Sequence, residues 1–395
     1  MTPRLLQIFN RYRERGGEEK SVERIYRHVS EMFPTSKCWF HSEEWIKETA
    51  PPRWKQALLI GRNRAALERI RTASRQAGAC LWMTHNLIPV ASFGVYGEAL
   101  RLGIPIIQFV HNFRPFSPGG SLWLGDRVCD DALHGKLWPE LRAGSWQGSV
   151  LKTAILAWHV KRLFHSGDLD AVTHWVTISE FMRDRFIEGG IPAERVVTLR
   201  HSWDARPAAP DAADGGYYLL LARLVTEKGV RVTVEAWKRM EKEAGPNCPR
   251  LVIGGTGPLN AEVAAAAAEH KGIDYLGFVD GDAKDELIAN CRAMLAPSVW
   301  WEPLGLITYE AYDAAKPILA ADSGGLAETV VEGETGFLHR AGDVEDLITS
   351  VRRMEDLPYP ERREMGARGR EWLLREADPA LWKERFREVL RLATG

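Results

Sequence analysis

No stretch of this chain reaches the roughly 18 apolar residues of a membrane-spanning helix. Its N-terminus, MTPRLLQIFNRYRERGG, has too short an apolar run for a signal peptide. Both absences predict a cytoplasmic protein, soluble or peripheral at the inner face of the membrane. Cysteine is sparse: Cys38, Cys80, Cys129, Cys248 and Cys291 are scattered, odd in number, and never at zinc-site spacing. They read as reduced thiols. Excess charge is missing too. With 52 Lys and Arg against 53 Asp and Glu, the chain has no general electrostatic footprint for nucleic acid.

Length and tryptophan are plentiful. At 395 residues the chain is long for one hydrophobic core, which predicts two domains and a cleft. Core packing accounts for most of the 15 tryptophans, but Trp123, Trp138, Trp146 and Trp158 form a cluster that also suits a sugar or interfacial surface.

Short apolar runs alternate with amphipathic stretches throughout, the pattern of an α/β protein with parallel sheets. Expected strands in the first half are RLLQIF (4–9), CLWMT (80–84), IPIIQFV (104–110), WVTI (175–178) and VVTLR (196–200). Residues 112–148 carry many Gly, Pro and Trp without a period, and such a long irregular insert is usually functional or mobile. The Pro-, Ala-, Asp- and Gly-rich stretch 201–216 marks a domain boundary. Beyond it the alternation resumes with YYLLLA (217–222), RLVIGG (250–255), DYLGFV (274–279), AMLAPS (293–298) and PILAA (317–321). Two doubly wound halves facing a cleft would bring loops from both sheets to one ligand site.

The stretch EPLGLITYE sets Glu302 and Glu310 around a strand-to-helix turn. A helix starting near Gly305 leaves the N–H groups of Leu306, Ile307 and Thr308 unpaired at its positive end, a site for phosphate. Each carboxylate can accept two hydrogen bonds and so hold a vicinal diol. A diol, a diphosphate and a second diol in line describe a nucleotide sugar. Two other readings of the pair stand beside this one: the acid and nucleophile of a glycosidase, or a capping acid with an exposed helix acid. In RLVTEKG, Arg223 and Lys228 sit on another strand-to-helix loop, where a pair of cations can neutralise a diphosphate; alone they would be an ordinary charged loop.

Together ARLVTEKGV, VIGGTGP, YLGFV and EPLGLITYEAYDAAKPILAADSGGLAETVVEGETGFL resemble, in order and spacing, the second domain of the family 4 retaining glycosyltransferases of GT-B fold. NRYRERGGEE, THNLIPVAS, FVHN and TISEFMRD resemble its first domain. The resemblance implies a GT-B architecture of two Rossmann-like domains: residues 1–203, joined by a C-terminal helix at 379–395, and residues 204–378.

The resemblance also implies roles. Glu310 would hold the ribose, and Glu302 with the Leu304 and Gly305 backbone the donor sugar. Arg223 and Lys228 would hold the diphosphate, with Gly17 closing on it. Phe278 and Val279, at a strand end, would line the base pocket. Gly255, Pro303, Leu306 and Ile307 complete the donor set, and His111 would steady the sugar near its anomeric carbon. Gly16 and Gly17 also permit a close backbone approach and an anion-facing helix start. Glu18 and Glu19 read as first-turn acids, with an acceptor-side role for Glu19. His85 and Asn86 end another strand and are acceptor contacts in this reading.

The strings Asp168–Asp170 and Asp280–Asp282 read as solvated turns, so no metal or other cofactor is expected. Where relatives carry further cysteines this chain has Ala132 and Ser145, which argues against a thiol cluster there. The implied activity is retaining hexosyl transfer from a nucleotide diphosphate sugar, with uridine as the expected base, to a hydroxyl of a glycan or lipid-linked glycan. Surface polysaccharide synthesis is the implied setting, and a non-catalytic nucleotide-sugar binder the alternative. Residues 149–166 place Leu151, Ile155, Trp158 and Leu163 among Lys152, Lys161 and Arg162, as either an interfacial or a buried helix would.

Overall fold

The computed structural model describes residues 2–13, 16–207 and 214–394. It divides into two units, Met1–Gly125 with Cys129–Ser202 and Pro379–Gly395, and Asp126–Val128 with Trp203–Asp378. Trp203 falls in the second unit, where its N–H donates to Ala377 O at 2.8 Å and its ring meets Tyr309 edge-on.

The first unit holds a six-stranded parallel sheet of β1 (Leu5–Arg11), β2 (Thr35–His41), β3 (Leu81–Thr84), β4 (Ile106–Phe109), β5 (Val172–Thr177) and β6 (Val196–Thr198), in the order β2-β1-β3-β4-β5-β6. The sequence reading expects five of these and omits β2, whose TSKCWFH mixes Lys and His into a half-exposed edge. Covered on both faces, β1 is buried from Leu5 to Asn10, which traps the polar Gln7 and Asn10 inside. The chain then enters α1 (Gly17–Met32), which buries Val22, Ile25 and Val29 on one stripe. The C-terminal helix Pro379–Thr394 lays Trp382, Phe386, Val389 and Leu390 into the same core as Leu5, Ile25, Met83 and Phe109.

Within residues 112–148 a buried acid ties two segments together: Glu140 accepts from Ser117 Oγ and, at 3.3 Å, from Gly119 N–H. The following helix α2 (Val150–His165) is half-buried: Leu156, Val160 and Leu163 face inward, while Leu151 and Trp158 are 71% and 54% exposed. No helix among the described residues is long and apolar enough to cross a membrane.

The second unit carries β7 (Tyr217–Leu221), β8 (Arg250–Gly254), β9 (Ile273–Tyr275), β10 (Ala293–Ala296), β11 (Ile318–Asp322) and β12 (Gly336–Arg340), all parallel, in the order β9-β8-β7-β10-β11-β12. This is the doubly wound order whose direction reverses between β7 and β10, where ligands of such sheets bind. Helices α3 (Val230–Ala244), α4 (Gly281–Asn290) and α5 (Leu306–Asp313) follow β7, β9 and β10. Trp237 of α3 packs edge-on against Tyr218 of β7 at the centre of the core. The sequence reading misses β12 and overextends β9, which stops at Tyr275 before Gly277 turns with a φ of 68°. Phe278 and Val279 therefore lie in a loop, not at a strand end.

Candidate functional site

At the reversal point of the second sheet, backbone hydrogen bonds clamp three loops together. Leu224 N–H donates to Thr256 O at 3.0 Å, joining the loops after β7 and β8, and Val299 N–H donates to Glu227 O at 3.0 Å, joining those after β7 and β10. Two glycines allow the approach. Gly229 has a φ of 71°, and a Cβ there would lie 1.8 Å from Pro297 O; Gly255 has a φ of 134°, and its Cβ would lie 1.8 Å from Ala222 O.

These loops carry the chemistry. Glu302 is buried, and its Oε1 accepts from Lys228 Nζ and, at 2.6 Å, from Ser298 Oγ. Burial alone would raise the carboxyl, but the Lys228 charge and hydrogen bond, with Ser298, hold it below its ordinary value, so it is ionised at neutral pH. Lys228 Nζ also lies 5.4 Å from the Trp300 ring centroid. Arg223 is exposed on the same loop as Lys228. Glu310, one turn into α5, accepts from Lys284 Nζ of α4 at 2.7 Å. Both glutamates expected to hold diols are thus already paired with a lysine. Each keeps acceptor capacity, since a carboxylate offers about four lone-pair sites.

One expected anion donor is lost. Gly305, with a φ of 85°, precedes α5, and its carbonyl takes both Thr308 N–H at 3.0 Å and Thr308 Oγ at 2.8 Å. The first-turn amides of Leu306 and Ile307 remain for a ligand. Pro303 and Leu304 are buried in the turn before them, and Glu302 O holds Gly325 N–H at 2.7 Å. Val279 comes close to the end of β8, for a Cβ on Gly254 would lie 3.2 Å from its Cγ2. Phe278 does not: it is 73% exposed, in a surface groove with Tyr217 and Leu287.

In the first unit the strand order reverses between β1 and β3. Beyond the ends of these strands lie Gly16 and Gly17 at the start of α1, then His85 and Asn86, and beyond the end of β4 lies His111. A Cβ on Gly16 would meet nothing within 4 Å, so this glycine leaves open space at the helix start. Two expected acceptor contacts are already engaged within the protein. Glu19 is buried and held by the Arg11 guanidinium, with Nε at 2.6 Å. Asn86 Nδ2 donates to Asn10 O and Ile88 O, both at 2.9 Å. His85 is also enclosed, 2% exposed beneath His111, to which its Nδ1 is hydrogen-bonded at 3.0 Å.

Glu18 is the acid that faces the pocket. Tyr12 Oη donates to it at 3.0 Å and Asn112 Nδ2 at 3.1 Å, and the pocket beside it is lined by His111, Asn112 and Arg114, then by the apolar Phe93 and Trp175. Burial pushes the Glu18 carboxyl up to about 7, against the pull of Tyr12, Arg114 and Asn112. A carbon resonance of the Glu18 carboxyl is therefore expected to titrate near pH 7, and a midpoint in the ordinary range near 4 would mean that the group is solvated. Sequence reasoning passed over Glu18 as a first-turn acid, and Asn112 and Arg114 as part of an irregular insert. The signal available was Asn112 directly after His111.

Outside these sites, Asp130, His134 and Glu188 bring ligand atoms within 4.8 Å of one another, but Glu188 Oε2 is already paired with Arg185 at 2.7 Å.

Residues 202–372, which span the whole clamped site of the second unit, match the family described as glycosyl transferases group 1. Over these residues the chain resembles this family. Among relatives of the chain is the GDP-mannose-dependent alpha-(1-6)-phosphatidylinositol monomannoside mannosyltransferase of Mycolicibacterium smegmatis, 28% identical over 58% of this chain and 63% of that protein. Another is the 2-deoxystreptamine glucosyltransferase of Streptomyces kanamyceticus, 36% identical over 40% of each chain. A third, the glycogen synthase of Mycobacterium tuberculosis, is 32% identical over 49% of each. The matches thus span from 40% to 63% of the length of these relatives, less than two thirds of each. Among solved structures, Anabaena HepE in complex with UDP aligns over 98% of this chain and 99% of its own, with a TM-score of 0.65 and 16% identity. Sucrose-phosphate synthase from Thermosynechococcus elongatus aligns over 98% of both chains, with a TM-score of 0.69 and 15% identity. These likenesses establish the GT-B fold, as the sequence motifs imply.

Proposed function

We propose that this chain transfers a hexosyl group from a nucleotide diphosphate sugar to a hydroxyl of a glycan or lipid-linked acceptor, with retention at the anomeric carbon. The observation that carries the reading is the clamped turn of the second unit, where Arg223, Lys228 and the amides of Leu306 and Ile307 accompany the ionised Glu302. Charge grows on the diphosphate as it leaves, so fixed cations and amides stabilise the transition state more than the ground state. Glu302 is assigned to donor-sugar hydroxyls, Glu310 to the ribose, and His111 of the first unit to the transferred sugar. The acceptor attacks from the face the diphosphate vacates and gives its proton to a phosphate oxygen, so no protein base is required. Cations of the chain meet the diphosphate charge, and the reading needs no metal.

Uridine is the proposed base. HepE was solved with UDP, whereas the M. smegmatis relative is named for GDP-mannose, so the base is the first thing to measure. Thermal stability with UDP-, GDP-, ADP- and dTDP-sugars, each with EDTA, should single out the UDP-sugar; a ligand at a hundred times its Kd adds about 2.7 kcal/mol. The stabilising donor is then offered to glycan acceptors, and the product linkage read by NMR. An inverted linkage would overturn retention. Stabilisation without transfer or donor hydrolysis would turn the chain into a binder, and no response to any donor would remove the reading.

A further inference from the structure

Two histidines of the first unit, His85 and His111, are held in one proton arrangement by residues outside the sugar-binding motifs. Trp39 Nε1–H, which can only donate, reaches Gln7 Oε1 at 3.2 Å. The amide orientation follows: Gln7 Nε2 is the nitrogen end, donating to Val22 O at 3.3 Å and lying 3.0 Å from His85 Nε2. His85 Nε2 must therefore accept. A neutral imidazole carries its hydrogen on the other nitrogen, so His85 Nδ1–H donates to His111 Nε2 at 3.0 Å. By the same step the hydrogen of His111 lies on Nδ1. That atom is buried and has no partner among the described residues.

The rings are neutral for a physical reason. Gln7 is 0%, His85 2%, His201 4% and His111 9% exposed. Burial pushes His111 down to about 3, and burial with the neighbouring histidines pushes His85 and His201 well below the usual value. His111 lies between the other two, its ring centroid 5.3 Å from that of His85 and 5.4 Å from that of His201, each at 15°.

We infer that Trp39, Gln7 and His85 are positioning residues: they fix His111 in the Nδ1–H tautomer, so that it meets the sugar ligand as a neutral donor to an oxygen and never as a base. The inference rests on the proposed transferase reading only for the identity of that oxygen. A buried donor without a partner is costly, and an oxygen of a ligand bound beside the ring would relieve it. A neutral donor also suits a site where positive charge develops on the sugar, since an imidazolium would oppose it.

The relay is tested on the full chain by nitrogen NMR of 15N-histidine, with His111 assigned from its absence in H111Q. The wild type should show His111 protonated on Nδ1 and bare on Nε2 at pH 7. In Gln7→Leu, which keeps the bulk but removes the donor, His85 and His111 should populate both tautomers. Trp39→Phe should do so more weakly, because Val22 O still holds the amide, and it serves if Gln7→Leu does not fold. With donor and acceptor supplied, kcat of Gln7→Leu should fall about tenfold at unchanged KM, the equivalent of one neutral hydrogen bond. A His111 bare on Nδ1, or tautomers unmoved in a folded variant, overturns the relay whether or not the chain transfers sugar. Unchanged kcat beside shifted tautomers overturns the positioning role.

Discussion

Replacing Arg223 and Lys228 together with alanine lowers kcat by a hundredfold or more, scaling from the roughly 10²–10³ lost with a single oxyanion donor elsewhere. Steady-state kinetics of the double variant check it, and turnover within a few-fold of wild type would remove both residues from the site. The two single variants differ for a structural reason. Arg223 is exposed, so its loss acts on the ligand alone. Lys228 also neutralises the buried Glu302, and its side chain is only 25% exposed. Its removal should therefore destabilise the unit as well, by less than the ~3–5 kcal/mol of a fully buried broken pair.

The sign of the pH dependence identifies that second effect. In the wild type the Glu302 carboxyl is held below its ordinary value, so its contribution is complete above about pH 4.3 and is lost as pH falls through the native value. Without Lys228, burial dominates and raises the native value above the unfolded one. The variant then loses stability relative to wild type as pH rises from about 4 to 8. A stability gap independent of pH over that range would show that the pair is not electrostatically coupled.

The Gly229→Ala variant unfolds the second unit at a markedly lower denaturant midpoint and loses nucleotide-sugar binding with it. A φ of 71° costs an L-residue about 1–2 kcal/mol, and a Cβ 1.8 Å from Pro297 O forces apart two loops that meet through the Val299–Glu227 hydrogen bond. Gly281→Ala separates strain from collision, because Gly281 has a φ of 58° with nothing within 4 Å of its Cβ position. We expect about 1 kcal/mol for Gly281→Ala and more than ~3 for Gly229→Ala. Equal losses in the two variants would mean that the loops yield freely and that the clamp has no structural weight.

Much of the fold is legible in the chain because buried parallel strands are written as continuous apolar runs: LLQIF, LWMT, YYLLL and LVIG each lie within or along an observed strand. Two of the four edge strands are not, since β2 and β12 mix polar and apolar residues. Among site residues, Glu18 and Glu19 show the limit most clearly. Neighbours on a helix point about 100° apart. The rotation of α1 that buries Val22, Ile25 and Val29 also turns Glu19 under Arg11 and Glu18 toward Asn112. Either acid could have been the one in the pocket until that rotation was known.

By itself the sequence determined the alternation of strand, turn and helix, the glycines that let loops touch, and the acids and cations at the turn before α5. Those follow from local conformational preference and side-chain chemistry. Only the tertiary structure decided the state of those groups. It set Lys228 against Glu302, 74 residues away, and Lys284 against Glu310. It kept Glu18 near a value of 7 and three histidines neutral. Charge and proton position depend on distance and on exclusion of water, and packing distant segments together is what sets both.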